Sequence, residues 1–551
     1  VIGAWVALLA VSFTLMVTML ADGLTTQFVF INTPESQRGV DLIEEMQGLP
    51  RSTNEVVIVR SETMTVDDPV FEKTVTDLTS ALQELGPDII RLETLIDYPH
   101  TGLPFLLADG RQTTIIPFTM AGDFDDATSN IGEVLEVVEG VEAPAGMEVL
   151  ITGQATVGKD FQEVGQEGIE KGETFGVPVA LIILALVFGT LVAAVIPIIL
   201  AFASIFVAMG AAALVGQVFA LSFFVTNMIF MIGLAVGIDY SLFIVARYRE
   251  ERARGLEKID AIARAGGTAS RAVLFSGVTV VIALVGMLLV PFNIFIGLGA
   301  GAILVVIASV LSALTLLPAI LSILGDGIDR VKIPWVGRGS SDIQSAGGFW
   351  DRVSHGVMRQ PIISLLVAGG VLVAAALPVF NLNIGFAGVN SMPDGIPAKE
   401  GLIVLDQEFS AGNVTPAQIV FEGDLSSEQF KEELRVLIAF MESDTFTAFG
   451  PEQPLETNEA MTIGLLSVPV VGDSAEEMAV SAIDRLRNDY IPRVFTSGVV
   501  DVYVTGETAY NADFFAQSES SSWVVFPFVL GMSFILLMLV FRSLVVPIKA
   551  I

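Results

Sequence analysis

The chain has 551 residues, 53% of them hydrophobic and 16% charged, with a mean hydropathy of +0.70. That apolar excess excludes a wholly soluble enzyme and a disordered chain, the lack of cysteine excludes disulfide scaffolds and thiol chemistry, and two histidines, His100 and His355, leave little for a His-based metal site. A formal charge of −33 is the wrong sign for a nucleic-acid surface, so the composition is that of a membrane protein carrying acidic soluble parts.

Eight apolar runs reach the roughly 18–20 residues needed to cross a bilayer. They fall at 1–21, 175–196, 197–215, 222–246, 272–292, 294–324, 361–381 and 522–541. Span one is read as an anchor and not a signal peptide, because Asp22 and Gly23 follow it without a small-residue cleavage pattern. Its start is expected to be missing. Two long polar stretches interrupt the spans, 22–174 with 29 acids and 8 bases, and 382–520 with 23 acids and 6 bases. The remainder holds 9 acids against 14 bases. Those bases cluster after span four (Arg247, Arg249, Arg252, Arg254, Lys258, Arg264, Arg271), after span six (Arg330, Lys332, Arg338, Arg352, Arg359) and after span eight (Arg542, Lys549). Short loops rich in Lys and Arg stay cytoplasmic. The expected topology is therefore a multi-pass protein of the cell (inner or plasma) membrane, with both acidic stretches on the outer side.

The expected domains in chain order are span one at 1–21, an outer domain at 22–174 and spans two to six at 175–324. A cytoplasmic linker at 325–360, span seven at 361–381, a second outer domain at 382–521, span eight at 522–541 and a short end at 542–551 complete the order. In the first outer domain, Glu55–Arg60 and Met147–Thr152 read as strands. Thr113–Met120 reads as another, with Pro117 confining it to an edge. Residues 68–86 carry Phe71, Val75, Leu78, Leu82 and Leu85 at helical spacing, and 126–139 read as a second helix. The second domain repeats the order with strand Ala417–Phe421, helix 426–441, strand Met461–Val468 closed by Pro469, helix 475–490 and strand Val499–Thr505. Each is expected to be a small α+β sandwich with helices on one sheet face.

The two halves share an internal repeat. Thr152-Gly153 matches Thr505-Gly506, Asp160-Phe161 matches Asp513-Phe514, Val187-Phe188 matches Val540-Phe541 and Leu191-Val192 matches Leu544-Val545, all 353 residues apart. Duplicated halves are common among transporters. The repeat predicts the first half and part of the second half of a 6+6-span architecture, with this chain a fragment; the competing expectation is a natural eight-span protein.

Neither outer domain shows a nucleophile elbow or zinc motif, so no enzyme activity, cofactor or metal site is expected. His100 reads as structural. The acids read as a solvated surface or, more sharply, as a vestibule for cationic cargo.

One formally charged residue lies within the apolar spans: Asp239, in Gly233-Leu234-Ala235-Val236-Gly237-Ile238-Asp239-Tyr240-Ser241-Leu242-Phe243. A carboxylate at mid-span costs about 2.5–3.5 kcal/mol on insertion scales. Desolvation favours its neutral form, which suits a group that gains and loses protons. At 100° per residue, Gly233, Gly237 and Tyr240 share one face, and Asp239 lies round from them with Ala235 and Phe243. The Gly-x-x-x-Gly pair Gly233/Gly237 permits close helix packing, so Asp239 is expected to face an interior seam. The alternative is a structural hydrogen bond from a permanently protonated Asp239. A second pair, Gly297 and Gly301, reads as plain packing in span six.

The run Gly237-Ile238-Asp239-Tyr240-Ser241-Leu242-Phe243-Ile244-Val245-Ala246-Arg247-Tyr248-Arg249-Glu250-Glu251 resembles the signature of MMPL-type transporters of the resistance–nodulation–division superfamily. The likeness continues through Arg271–Val280 and Gly297–Leu324, including Ala313-Leu314-Thr315-Leu316-Leu317-Pro318-Ala319, and the stretch Phe349-Trp350-Asp351-Arg352 is similar to the family's linker. It covers spans two to six most strongly. The resemblance implies two six-helix halves, each with an outer porter domain, exporting lipids or other hydrophobic compounds at the expense of the proton gradient. It implies a proton relay of one Asp-Tyr pair in span four, carried here by Asp239 and Tyr240, and a second in span ten, which by the 353-residue offset falls past Ile551. Partners would be protons, the membrane and an amphiphilic cargo, with no nucleic acid; the oligomeric state is left open. Two rival readings are a sterol- or lipid-sensing receptor without net pumping and a translocation accessory resembling SecD and SecF.

Overall fold

A computed structural model of the chain describes residues 1–48, 53–141, 143–331, 349–381, 396–409, 416–444, 449, 454–470, 474 and 477–551. Lys332 and Arg338 of the basic segment, residues 382–395 of the second acidic stretch and the first two residues of helix 475–490 lie outside the described residues.

Among the described residues, eight helices are long and apolar enough to cross a membrane: α1 (Ile2–Met19), α5 (Gln154–Phe188), α6 (Leu191–Gly216), α7 (Phe224–Ala253), α8 (Lys258–Leu289), α9 (Asn293–Asp329), α11 (Pro361–Phe380) and α15 (Glu507–Phe541). A short helix, α10 (Phe349–Arg359), precedes α11. The expected division of spans two and three at residues 196 and 197 is corrected. The break comes at Gly189, whose φ of +70° ends α5 in the left-handed conformation that glycine adopts without a Cβ penalty. Pro197 lies inside α6. The buried faces of α6, α7 and α9 are rich in Ala, Gly and Ser, which lets their backbones approach closely.

Two four-stranded antiparallel sheets sit at one end of this bundle. The first is built from β1 (Asn54–Ser61), β2 (Ile90–Arg91), β3 (Thr113–Met120) and β4 (Met147–Gly153), in spatial order β2-β3-β1-β4. Helices α3 (Pro69–Glu84) and α4 (Phe124–Glu139) accompany it. Asp68 caps α3 by accepting the Val70 amide at 2.9 Å, and Asp123 and Asp126 form a reciprocal capping box at the start of α4. The second sheet comprises β5 (Ala417–Gly423), β6 (Glu456–Thr457), β7 (Ile463–Val468) and β8 (Val500–Thr505), in order β6-β7-β5-β8, the same order as the first. Its helices are α13 (Glu428–Glu442) and α14 (Glu477–Arg485).

Pro117 sits in β3, which is not an edge strand. The carbonyl of Pro117 accepts from Ile96, away from β1. Its nitrogen points the same way, past the end of the two-residue β2, so no ladder bond is lost.

Helices cover both faces of each sheet, and not one face as expected. On the first sheet, Val57 and Val59 pack with Phe71, Leu78 and Ile131 of α3 and α4. Ile58, on the opposite face, packs with Leu150 and with Val404 and Leu405 of α12 (Pro397–Phe409). On the second sheet, Ile419 and Phe421 face Phe430 and Leu437 of α13, whereas Val420, Ile463 and Leu465 cover Leu42 of α2 (Glu35–Gln47). The helix after α1 therefore caps the second sheet, and the helix before β5 caps the first. Burial on both faces accounts for the unbroken apolar run Val56–Val59 where alternation would mark a half-exposed strand.

Leu24–Thr25 pairs with Leu221–Ser222, and Phe30 bridges Phe292, so the loops α6–α7 and α8–α9 lie at the sheet end. At the other end, Arg249 pairs with Asp329 at 2.8 Å and donates to the Phe188 carbonyl at 2.8 Å, while Arg252 pairs with Asp326.

Candidate functional site

The site centres on α7. Its buried face carries Gly233, Gly237, Tyr240, Ser241 and Ile244. A Cβ placed on Gly233 would lie 2.4 Å from Ile205 of α6 and 2.8 Å from Val305 of α9, and one on Gly237 would lie 2.7 Å from the Ala201 Cα of α6. Only glycine allows these approaches. The second pair behaves alike: a Cβ on Gly301 would meet Val225 at 2.6 Å. Ser241 Oγ satisfies itself on the Gly237 carbonyl at 2.7 Å.

Tyr240 is turned into the seam between α7, α8 and α9. Its hydroxyl interacts with Ser276 of α8, and it stands 3.7 Å from the Cβ position of Gly277. Gly277 is itself locked against Val310, whose Cγ2 would be 2.3 Å from an added Cβ. Ser276 joins the site here; it lies in the family-like run Arg271–Val280, but no role was expected of it.

Asp239 faces no seam between the described helices, where an interior position was expected. It lies on the exposed side of α7 in one stripe with Met231, Ala235 and Phe243. The helix period that buries Gly237 and Tyr240 rotates the carboxyl out between them. Among the described residues it has no hydrogen-bond or ion-pair partner. Beside it an apolar groove of about 320 Å³ is lined by Gly176, Val177 and Ala180 of α5, Ile198 of α6, and Met231 and Ile238 of α7. The α5 wall of that groove follows a π-helical turn, Gly172–Gly176. Among the described residues no cluster of His, Asp and Glu could hold a metal ion. A carboxylate in an apolar layer is stable only when protonated, hydrated or partnered.

Eight helices of spanning length and composition among the described residues define a polytopic α-helical membrane protein. A family model described as the MMPL family matches residues 29–364 and 460–551. The chain belongs to the MMPL family. It is 30% identical over 408 residues to the mycolic acid-containing lipids exporter MmpL11 of Mycolicibacterium smegmatis, covering 73% of this chain and 42% of that protein. It is 26% identical over 561 residues to the trehalose monomycolate exporter MmpL3 of the same organism, covering 95% and 55%. It is 28% identical over 418 residues to the heme uptake protein MmpL11 of Mycobacterium tuberculosis, covering 75% and 42%. The chain spans about half the length of the curated relatives it matches.

Proposed function

We propose that the chain forms part of a proton-driven exporter of lipids or other amphiphilic compounds in the cell membrane, with both sheet units on the outer side as porter domains. The observation that carries this reading is Asp239, an acid set on the outward stripe of a glycine-packed spanning helix beside a seam-facing tyrosine. In this reading Asp239 takes up a proton from the outer side and releases it inward. Tyr240, fixed against α8, holds the helix around it, and α7 to α9 shift as the charge changes. The sheet units follow because α5 and α15 run straight out of β4 and β8. The open stripe of α7 is where the matching helices of a second six-span set would pack, bringing a second Asp-Tyr pair. The identical strand order of the two sheets and the 353-residue repeat support a duplicated 6+6 plan. The names of two relatives support lipid cargo.

The test is Asp239→Asn in the full-length protein, reconstituted in vesicles with an imposed pH gradient and a fluorescent lipid cargo. Loss of gradient-dependent export is expected. Undiminished export would reject the role, and movement of heme into the vesicles without lipid export would reject the cargo.

A further inference from the structure

Glu55, at the start of β1, is fully buried. It reaches from the first sheet to the first turn of α5. Its Oε1 accepts the Ala155 amide at 2.6 Å, and its Oε2 accepts the Thr156 amide at 3.4 Å and is hydrogen-bonded to Thr156 Oγ1. Gly153 makes this possible, because a Cβ there would lie 2.5 Å from the Glu55 carboxyl. One carboxyl thus ties a sheet to the helix that runs on to Phe188 through the bundle.

The corresponding junction in the second unit is built differently. In register, Val56 pairs with Thr152 and Gln418 with Thr505, so Ala417 stands where Glu55 does. There the sheet and the helix are joined by an ion-pair network. Arg487 holds Asp513 at 2.6 Å and Glu35 at 3.3 Å, and donates to the Val504 carbonyl at 2.7 Å. Asp513 then accepts the Ser36 amide at 3.0 Å. In the first junction Asp160 accepts the equivalent amide, from Ala398, at 3.3 Å, with Lys159 and Glu163 as its charged neighbours.

We propose that Glu55 is a proton-operated latch between the first sheet and the second spanning helix, shut when its carboxyl is neutral and driven open when it ionises. In the neutral form the hydrogen bond that Thr156 Oγ1 donates to Oε2 reverses, Oε2–H donating to Oγ1, while Oε1 keeps the Ala155 amide. An ionised one keeps those three donors but holds its charge in a fully buried site, where burial outweighs them. The charged group that faces Glu55 is Asp160, from α5 itself, and it opposes ionisation. Against Glu55, β3 presents Phe118 and β4 presents Gly153, neither of which titrates. Burial pushes the Glu55 carboxyl up to about 7, against the pull of its bonds to Thr156 and Ala155. The second junction also holds a carboxyl pushed up by burial, Glu35, which accepts the Val504 amide at 2.8 Å, but there Arg487 at 3.3 Å favours its ionised form, so the first unit is the one that would open as its compartment turns less acidic. The latch does not depend on Asp239 or on transport.

The experiment is hydrogen exchange of the full-length wild-type protein from pH 5.5 to 8.5, corrected for intrinsic exchange, read on peptides covering 153–160 and 506–513. The first peptide is expected to lose protection with a midpoint within about one unit of pH 7; the second stays flat. In E55Q, a neutral isostere, the first peptide stays protected throughout. A first peptide that is flat in the wild type, or a pH response retained in E55Q, overturns the latch. Should E55Q fail to fold, the contrast between the two wild-type peptides decides alone.

Discussion

Gly39 of α2 lies so close to Thr505 of β8 that an added Cβ would sit 2.8 Å from the threonine Cβ, and Gly401 of α12 stands in the same relation to Thr152 of β4, at 2.9 Å. The two threonines are the repeat positions 353 residues apart. Each sheet thus receives a helix from the other half of the chain through the same glycine-on-threonine contact.

Gly39→Val is expected to wedge α2 off the second sheet. Overpacking of this kind costs about 1–3 kcal/mol. Thermal unfolding of the purified protein in detergent should show a lowered transition, and limited proteolysis should cut first in residues 30–48. Gly39→Ala, with less to fit, should fall between this variant and the wild type.

Gly237→Leu places a side chain where the Ala201 backbone already stands. The α6–α7 pair cannot relax without separating, so a loss of about 3 kcal/mol or more is expected, at the upper end of overpacking. Ala235→Leu, on the exposed stripe of the same helix, should leave the detergent melting temperature unchanged. Equal damage from both would mean that α7 is not packed on its glycine face.

Arg487→Met leaves Asp513 without its cation in a site where both side chains are largely buried. Breaking such a pair from one side costs about 3–5 kcal/mol. Removing both partners in Arg487→Met/Asp513→Leu should recover a large part of it. A melting-temperature comparison of the two variants reads the difference directly.

Glu55 also sets a pH dependence of global stability. Its folded-state value of about 7 lies above the 4.5 of the unfolded chain, so between those values the folded form binds more protons. Its stabilising contribution is present in full below about pH 4.5 and is lost as pH rises through about 7. The loss is about 3.5 kcal/mol at most, from about 1.4 kcal/mol per pH unit over the 4.5-to-7 interval. The wild type should therefore melt progressively below E55Q as pH is raised from 5 to 8. Parallel curves would show that Glu55 does not titrate in that window.

Much of this plan is readable from residues. The eight apolar runs, the strands Glu55–Arg60 and Ala417–Phe421, and the face shared by Gly233, Gly237 and Tyr240 follow from period and length alone. The swap of α2 and α12 was hidden because helix period says which side of a helix is buried and nothing about what buries it. The continuous apolar stretch Val56–Val59 bears the mark of a sheet covered on both faces, although only one covered face was expected. The outward position of Asp239 was missed for a related reason: the angle that separates it from Tyr240 is local, but whether protein or open space lies along it is set by helices distant in sequence. The junction at Glu55 combines a strand residue with a helix start 100 positions later, which no motif records.

The crossed helices also bear on biosynthesis. As the nascent chain leaves the ribosome, α2 emerges with Leu42, Ile43 and Met46 before the strand β5 that will shelter them has been translated. At about 5–20 residues per second, that interval is on the order of tens of seconds. Throughout it an apolar helix face and one side of the first sheet stand bare, so chaperone binding during synthesis should concentrate there and end only when β8 is complete.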